Sequence, residues 1–153
     1  MKPVQDFLGR RIAATHRVVQ AALDARMRTR GADFTTWKVL VHLNDGDRPS
    51  QRELAARMSI DPATLVRHLD RVETDGLVVR ERDERDRRVV RVVITPAGRA
   101  MYEELNRVAQ QFDQELRALL RHDEYDRLLG TLRRITDHLT TEAKERSNGE
   151  RVG

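Results

Sequence analysis

VVRERDERDRRVVRVVITP, residues 78–96, reads as two β-type runs around a charged tip. Val78-Val79 and Val89-Val90-Arg91-Val92-Val93-Ile94 are rich in β-branched side chains, which suit a pleated ribbon, whereas Asp83-Glu84-Arg85-Asp86-Arg87-Arg88 is too charged to bury. The stretch is therefore predicted to be a β-hairpin that projects arginines at something narrow and negative. Solubility alone also explains a tip of alternating charge, since a charge run is usually a solvated face. Between Arg80 and Arg91 six arginines stand against four acids, so the hairpin is no general basic patch. The choice between the two readings rests on the sequence upstream.

Ser50 to Gly76 reads as two short helices and a tight turn. Ser50 and Glu53 form the capping-box pattern, in which the hydroxyl accepts from the N3 amide and the carboxylate reaches back to the Ser amide. A helix from Gln51 to about Met58 follows, with Leu54, Ala55 and Met58 inward and Gln51, Arg52 and Arg57 outward. Ser59-Ile60-Asp61 is the turn. Asp61 is a good N-cap, and Pro62 suits the first helical position, where its missing N–H costs nothing.

In the second helix Leu65, Leu69 and Val72 repeat at i, i+4, i+7 as the buried stripe, with Val66 at its edge and Gly76 as the left-handed stop. The other face carries Ala63, Thr64, Arg67, His68 and Arg71. Small groups at the start followed by long donors match a helix that enters the DNA major groove, where close approach comes first and reach to base edges second. An ordinary solvent-exposed face accounts for the helix alone. Two short helices, a three-residue turn and then a two-stranded wing together describe a winged helix-turn-helix.

The stretch SQRELAARMSIDPATLVRHLDRVETDGLVVRERDERDRRVVRVVITPAGR, residues 50–99, resembles the MarR family of bacterial transcriptional regulators, and most of all its SlyA-like branch. Asp83 to Arg88 followed by Ile94-Thr95-Pro96-Ala97-Gly98 is similar to the family's wing and its entry into the next helix, and Leu65-Val66-Arg67-His68-Leu69-Asp70 to the branch's recognition helix. The resemblance implies a dimeric DNA-binding regulator whose wing arginine, here Arg85, enters the minor groove with Asp83 as its brace. It also implies a pocket between the dimerisation helices and the DNA-binding lobe for small phenolic or amphipathic anions. His16, one position off the first helix's apolar stripe, and Trp37 are candidates to line it; a core tryptophan and a surface histidine are the simpler explanations.

A chain of 153 residues is long enough for one domain with a sizeable core. The expected class is mainly α with a small β-wing: one MarR-like domain over residues 1–153, with the winged helix-turn-helix lobe at 33–96 and a helical dimerisation region at 6–31 and 96–144. Without cysteine there is no disulfide, thiol sensor or cysteine-based zinc site. His42 is no better placed than His16 to line a pocket, His122 and His138 lack metal-ligand spacing, and no cofactor is expected. No run of about 18 apolar residues and no secretory pattern at Met1 to Asp6 point to a cytoplasmic protein without a membrane partner. The pI of about 10.1 misleads, because residues 50–96 hold ten Lys/Arg against nine Asp/Glu. The case for DNA rests on where arginines stand, not on net charge.

The flanks read as helices. Leu8, Ile12, Val19, Leu23 and Met27 stripe residues 6–30, with Gly31 as a stop; Asp33 or Thr35 caps the next helix through Trp37, Leu40, Val41 and Leu43. After Thr95-Pro96 a long helix carries Met101, Leu105, Val108, Phe112, Leu116 and Leu119. Asp123 is expected to cap a last helix with Leu128, Leu132, Ile135 and Leu139, frayed from Ser147 to Gly153. This is more apolar stripe than a small winged helix needs, and a homodimer is its natural use; an intramolecular bundle is the alternative. Two recognition helices about 34 Å apart would read a two-fold symmetric duplex.

Three contact classes are expected on double-stranded DNA. Thr64, Arg67 and His68 meet base edges or nearby phosphates, Arg85 enters the minor groove with Arg87 and Arg88 near the backbone, and Ser50, Gln51, Arg52 and Arg71 anchor phosphates. Arg88 can instead pair with Asp86. The function expected is a regulator, as a repressor, released by a small effector. A constitutive DNA-binding protein and a winged-helix interaction module remain open. No nucleophile arrangement, phosphate-cradling loop or paired-carboxylate site suggests an enzyme.

Overall fold

The computed structural model describes residues 7–149, so the expectations for Asp6 and for residues 150–153 fall outside the described residues. The elements are α1 (Leu8–Arg28), α2 (Phe34–Val41), α3 (Gln51–Met58), α4 (Pro62–Thr74), β1 (Val78–Arg82), β2 (Val90–Ile94), α5 (Pro96–Ala118) and α6 (His122–Gly149). The chain divides into two compact units, one up to Gln111 and one from Phe112 onward.

The first unit's core gathers one apolar face from each short element. Met27, Val39, Leu40, Leu43, Leu54, Leu65, Leu69, Val72, Val78, Val92 and Leu105 are almost fully buried. Side-chain caps set the helix starts around it. The Asp33 carboxylate accepts from Thr36 N at 2.8 Å, which decides between the two expected caps of α2. Ser50 and Glu53 close a reciprocal capping box on α3, and Asp61 accepts from Thr64 N at 2.9 Å with Pro62 behind it. Between α3 and α4 the chain turns through Ser59 at φ 55°, a left-handed position with no glycine to mark it. At the end of α4, Gly76 takes φ 71° as expected.

The wing is a two-stranded antiparallel ribbon with Val78 opposite Ile94 and Glu81 opposite Arg91. Its first strand runs to Arg82, past the Val78-Val79 pair, and its second begins at Val90, because Val89 N donates to Asp86 O in the tip. An exposed ribbon holds its ladder without apolar alternation, so the charged Arg80 to Arg82 belong to it. Pro49 O accepts from Val92 N at 2.9 Å and Ser50 bridges Arg91, so the entry to α3 lies along β2.

Thr95 fastens the wing to α5. Its hydroxyl accepts from Gly98 N at 3.0 Å and donates to Gly76 O at 2.7 Å. Gly98 sits so near the chain that an added Cβ would lie 2.0 Å from the Leu77 carbonyl oxygen.

The long helices bury less than their stripes suggest. On α1 only Leu23 and Met27 are buried, while Leu8 is 64% exposed. On α5 Leu105, Val108 and Phe112 are buried, and Leu119 lies beyond the helix end and is 79% exposed. Leu128, Leu132 and Leu139 of α6 are exposed as well. Asp123 lies inside the first turn of α6 instead of capping it; Glu124 reaches back to accept from Arg121 N at 2.9 Å and closes the turn. Ser147 is helical, since α6 continues to Gly149. In the second unit Tyr125 donates to Asp113, and the Arg117 guanidinium stacks 4.2 Å over the Tyr125 ring.

Candidate nucleic-acid interface

Helix α4 presents its outer face as a short relay of polar groups. The Asp61 carboxylate accepts from the Thr64 hydroxyl at 2.5 Å, and that hydroxyl accepts in turn from the Arg67 guanidinium at 3.1 Å. With its hydroxyl hydrogen pointed at Asp61, Thr64 orients Arg67 through its oxygen. The hydrogen bonds from the Thr64 hydroxyl and then its backbone N–H hold Asp61 below the usual carboxylate range, so the cap is ionised at neutral pH. Arg67 is exposed and His68 half-buried on the same helix.

Ion pairs hold the wing beside α4. Arg80 on β1 reaches Asp70 at 2.7 Å and Glu73 at 2.6 Å, and its backbone N–H also donates to Glu73. Arg48 pairs with Glu81 from the loop before α3. Asp83 is the hub of the tip. One carboxylate oxygen accepts from the backbone N–H groups of Arg85 and Asp86 at 2.9 and 3.0 Å, and the other from Arg91 Nε at 2.8 Å. The Arg91 guanidinium first, then those two amides, hold Asp83 down to about 2, so it is ionised at neutral pH.

The expected site residues fare differently. The Arg85 guanidinium has no partner among the described residues and stands exposed at the tip. Asp83 braces Arg85 through its backbone, not its side chain, because Arg91 occupies the second oxygen. Arg88 pairs with Asp86 at 3.1 Å, the alternative raised for it, and Arg87 is exposed. Ser50 is spent on its cap, and Arg52 is exposed. Gln51 corrects its outward placement: it is half-buried where the entry to α3 runs along β2, with Oε1 buried and without a partner among the described residues. Arg71 turns to Asp33 at 2.5 Å and Thr36 at 2.8 Å, drawn by a carboxylate that a helical wheel does not show.

His16 is exposed on α1. Trp37 packs on Phe34 with ring centres 5.6 Å apart, and its Nε1 is buried without a partner among the described residues. Reading by helix face missed Arg91 and Arg80. The available signal was a lone charge inside the β-branched run Val89 to Ile94, and an arginine at the base of the hairpin facing the acids Asp70 and Glu73.

Comparison with known proteins places this architecture. A model of the MarR family matches residues 34–90, from the start of α2 into β2. The uncharacterised HTH-type transcriptional regulator YdgJ of Bacillus subtilis (strain 168) is 30% identical over 109 residues, which span 71% of this chain and 66% of that relative, just under two thirds of its length. The winged-helix lobe of the chain is thus similar to that of the MarR family of transcriptional regulators.

Within that family, a mutant of E. coli MarR solved in complex with operator DNA is 29% identical, covering 84% of this chain and 92% of that one at a TM-score of 0.77. Bordetella bronchiseptica BpsR, whose structure concerns regulation of DNA binding by 6-hydroxynicotinic acid, is 25% identical at a TM-score of 0.80, covering 90% and 98%. The winged helix of this chain is thus the DNA-binding fold of MarR-type transcriptional regulators, and its homologues are regulators, not enzymes. No helix among the described residues is long and apolar enough to cross a membrane.

Proposed function

We propose that the chain acts as a homodimeric, sequence-specific repressor on a pseudo-palindromic operator and is released from it by a small phenolic or amphipathic effector. The observation that carries this is the unpartnered Arg85 at the tip of a wing pinned to α4 by Arg80. An exposed cation with no partner among the described residues, on an arm held beside a recognition helix, suits the negative potential of a narrow A·T-rich minor groove. Arg67, aimed by Thr64, would read guanine in the major groove, with His68 beside it. Arg52 and Arg87 would meet phosphates that position without specifying. Arg71 fits a brace of α2 on α4 better than a phosphate anchor.

Exposed apolar side chains support the dimer: Phe7, Leu8 and Val18 in the first unit, and Leu119, Leu128, Leu132 and Leu139 in the second. These would form the helical dimerisation region, with residues 33–96 as the DNA-binding lobe. The likeness of Leu65 to Asp70 to the SlyA-like recognition helix favours that branch.

Replacing Arg67 by alanine is expected to relax preference at one base pair of each half-site, worth roughly 1–3 kcal/mol, without loss of non-specific binding. Affinities for single-base operator variants, measured at one salt concentration, check this; an unchanged ranking would remove the base contact.

The effector reading is supported by BpsR and by the buried indole N–H of Trp37, which has no partner among the described residues and is a donor suited to a phenolate or carboxylate oxygen. Trp37 is the chain's single tryptophan, so its fluorescence reports directly on this site. Aromatic acids that release DNA should also quench or shift that emission in saturable fashion. A panel that changes neither emission nor DNA binding would support the constitutive reading instead.

A further inference from the structure

Arg91 lies on β2 within the wing, yet its side chain reaches three separate parts of the lobe. Nε donates to Asp83 at 2.8 Å, and Nη1 lies 3.3 Å from Glu53 Oε2 and 3.2 Å from the Arg48 carbonyl oxygen. The same Glu53 oxygen accepts from Ser50 N at 2.7 Å in the capping box of α3. A continuous line of polar contacts therefore runs from the N-terminus of α3 through Glu53, Arg91 and Asp83 to the backbone N–H of Arg85. The side chain is only 34% exposed, and the bridge from Ser50 to Arg91 and the bond from Val92 N to Pro49 O hold its backbone in place.

We propose that Arg91 is a positioning residue for DNA recognition, setting the wing tip relative to α3 so that Arg85 meets the minor groove while α4 occupies the major groove. This rests on the DNA-binding reading of Arg85 given above. The planar fork of Arg91 satisfies both carboxylates and a carbonyl at once. With a neutral side chain there, Asp83 and Glu53 lose their shared cation, and the tip loses its side-chain tie to α3 while keeping the contacts made within the wing itself. The Arg80 clamp does not compensate, because it grips β1 by its base and does not touch the tip.

The test is a double-mutant cycle on operator affinity with Arg91→Met, Arg85→Ala and the double variant, each checked for native circular dichroism. Arg91→Met should weaken binding about tenfold in the wild-type background and less than about twofold in the Arg85→Ala background, because the contact it positions is already gone. Asp83→Asn should reproduce the loss without adding to that of Arg91→Met. Should Arg91→Met fail to fold, Arg91→Lys keeps the charge and stem but not the fork, and should fall between wild type and Arg85→Ala. Wild-type affinity in Arg91→Met, or in Arg91→Lys where it replaces it, would overturn the proposal, and so would a loss that persists in full without Arg85. Wild-type affinity in Arg85→Ala would instead remove the wing reading itself, and this proposal with it.

Discussion

Replacing Arg85 by alanine is expected to lower operator affinity on the order of 100-fold, since the proposed dimer would lose two contacts of roughly 1–3 kcal/mol each. The fold should not notice. The guanidinium has no partner among the described residues, so truncation leaves no orphaned group behind, and the backbone N–H that ties Arg85 to Asp83 survives in alanine. The melting temperature should stay within about a degree, as for most surface substitutions. The slope of log affinity against log salt should become shallower, because cations have left the DNA contact. Equal affinity for wild type and variant in an anisotropy titration would remove Arg85 from the interface.

Gly98→Ala should produce the largest loss of stability. The added carbon would stand 2.0 Å from the Leu77 carbonyl oxygen, a backbone atom that cannot swing aside, and 2.8 Å from Ile94 Cγ1. Relief requires the start of α5 to move off the junction between α4 and the wing, which also strains the Thr95 bonds to Gly76 O and Gly98 N. Overpacking of this kind costs about 1–3 kcal/mol, or a melting temperature lower by roughly 3–10 °C. Gly130→Ala makes the contrast, because nothing lies within 4 Å of a Cβ in the middle of α6, and alanine there is the better helix former. Thermal melts in which the two variants behave alike would show that the close approach at Gly98 has no energetic weight.

Local chemistry was legible in the sequence, and long-range pairing was not. The capping box of Ser50 and Glu53, the Asp61-Pro62 helix start and the Gly76 stop each involve residues within a turn of one another. Backbone geometry dictates such contacts, so a pattern of residue types reveals them. The left-handed turn at Ser59 escaped because glycine usually marks that conformation and serine does not. The pairings of Arg71 with Asp33, Arg80 with Asp70 and Glu73, and Arg91 with Glu53 depend on which surfaces tertiary packing brings together. For the same reason the sequence names Asp83 as a brace for Arg85 but does not show that a third residue, eight positions on, takes its second oxygen. The stripes on α1, α5 and α6 were read correctly as apolar, but only packing decides how much of each is covered within one chain.

The central claim is that α4 reads the major groove while the wing occupies the adjacent minor groove. Paired footprints on a duplex enriched from a random pool test it most directly, with dimethyl sulfate for guanine N7 in the major groove and hydroxyl radical for the minor groove. The expected pattern is two guanine protections about one helical turn apart, each flanked by a minor-groove protection that Arg85→Ala erases while the guanine signal remains. Footprints confined to one groove, or a random pool from which nothing is enriched, would contradict the account.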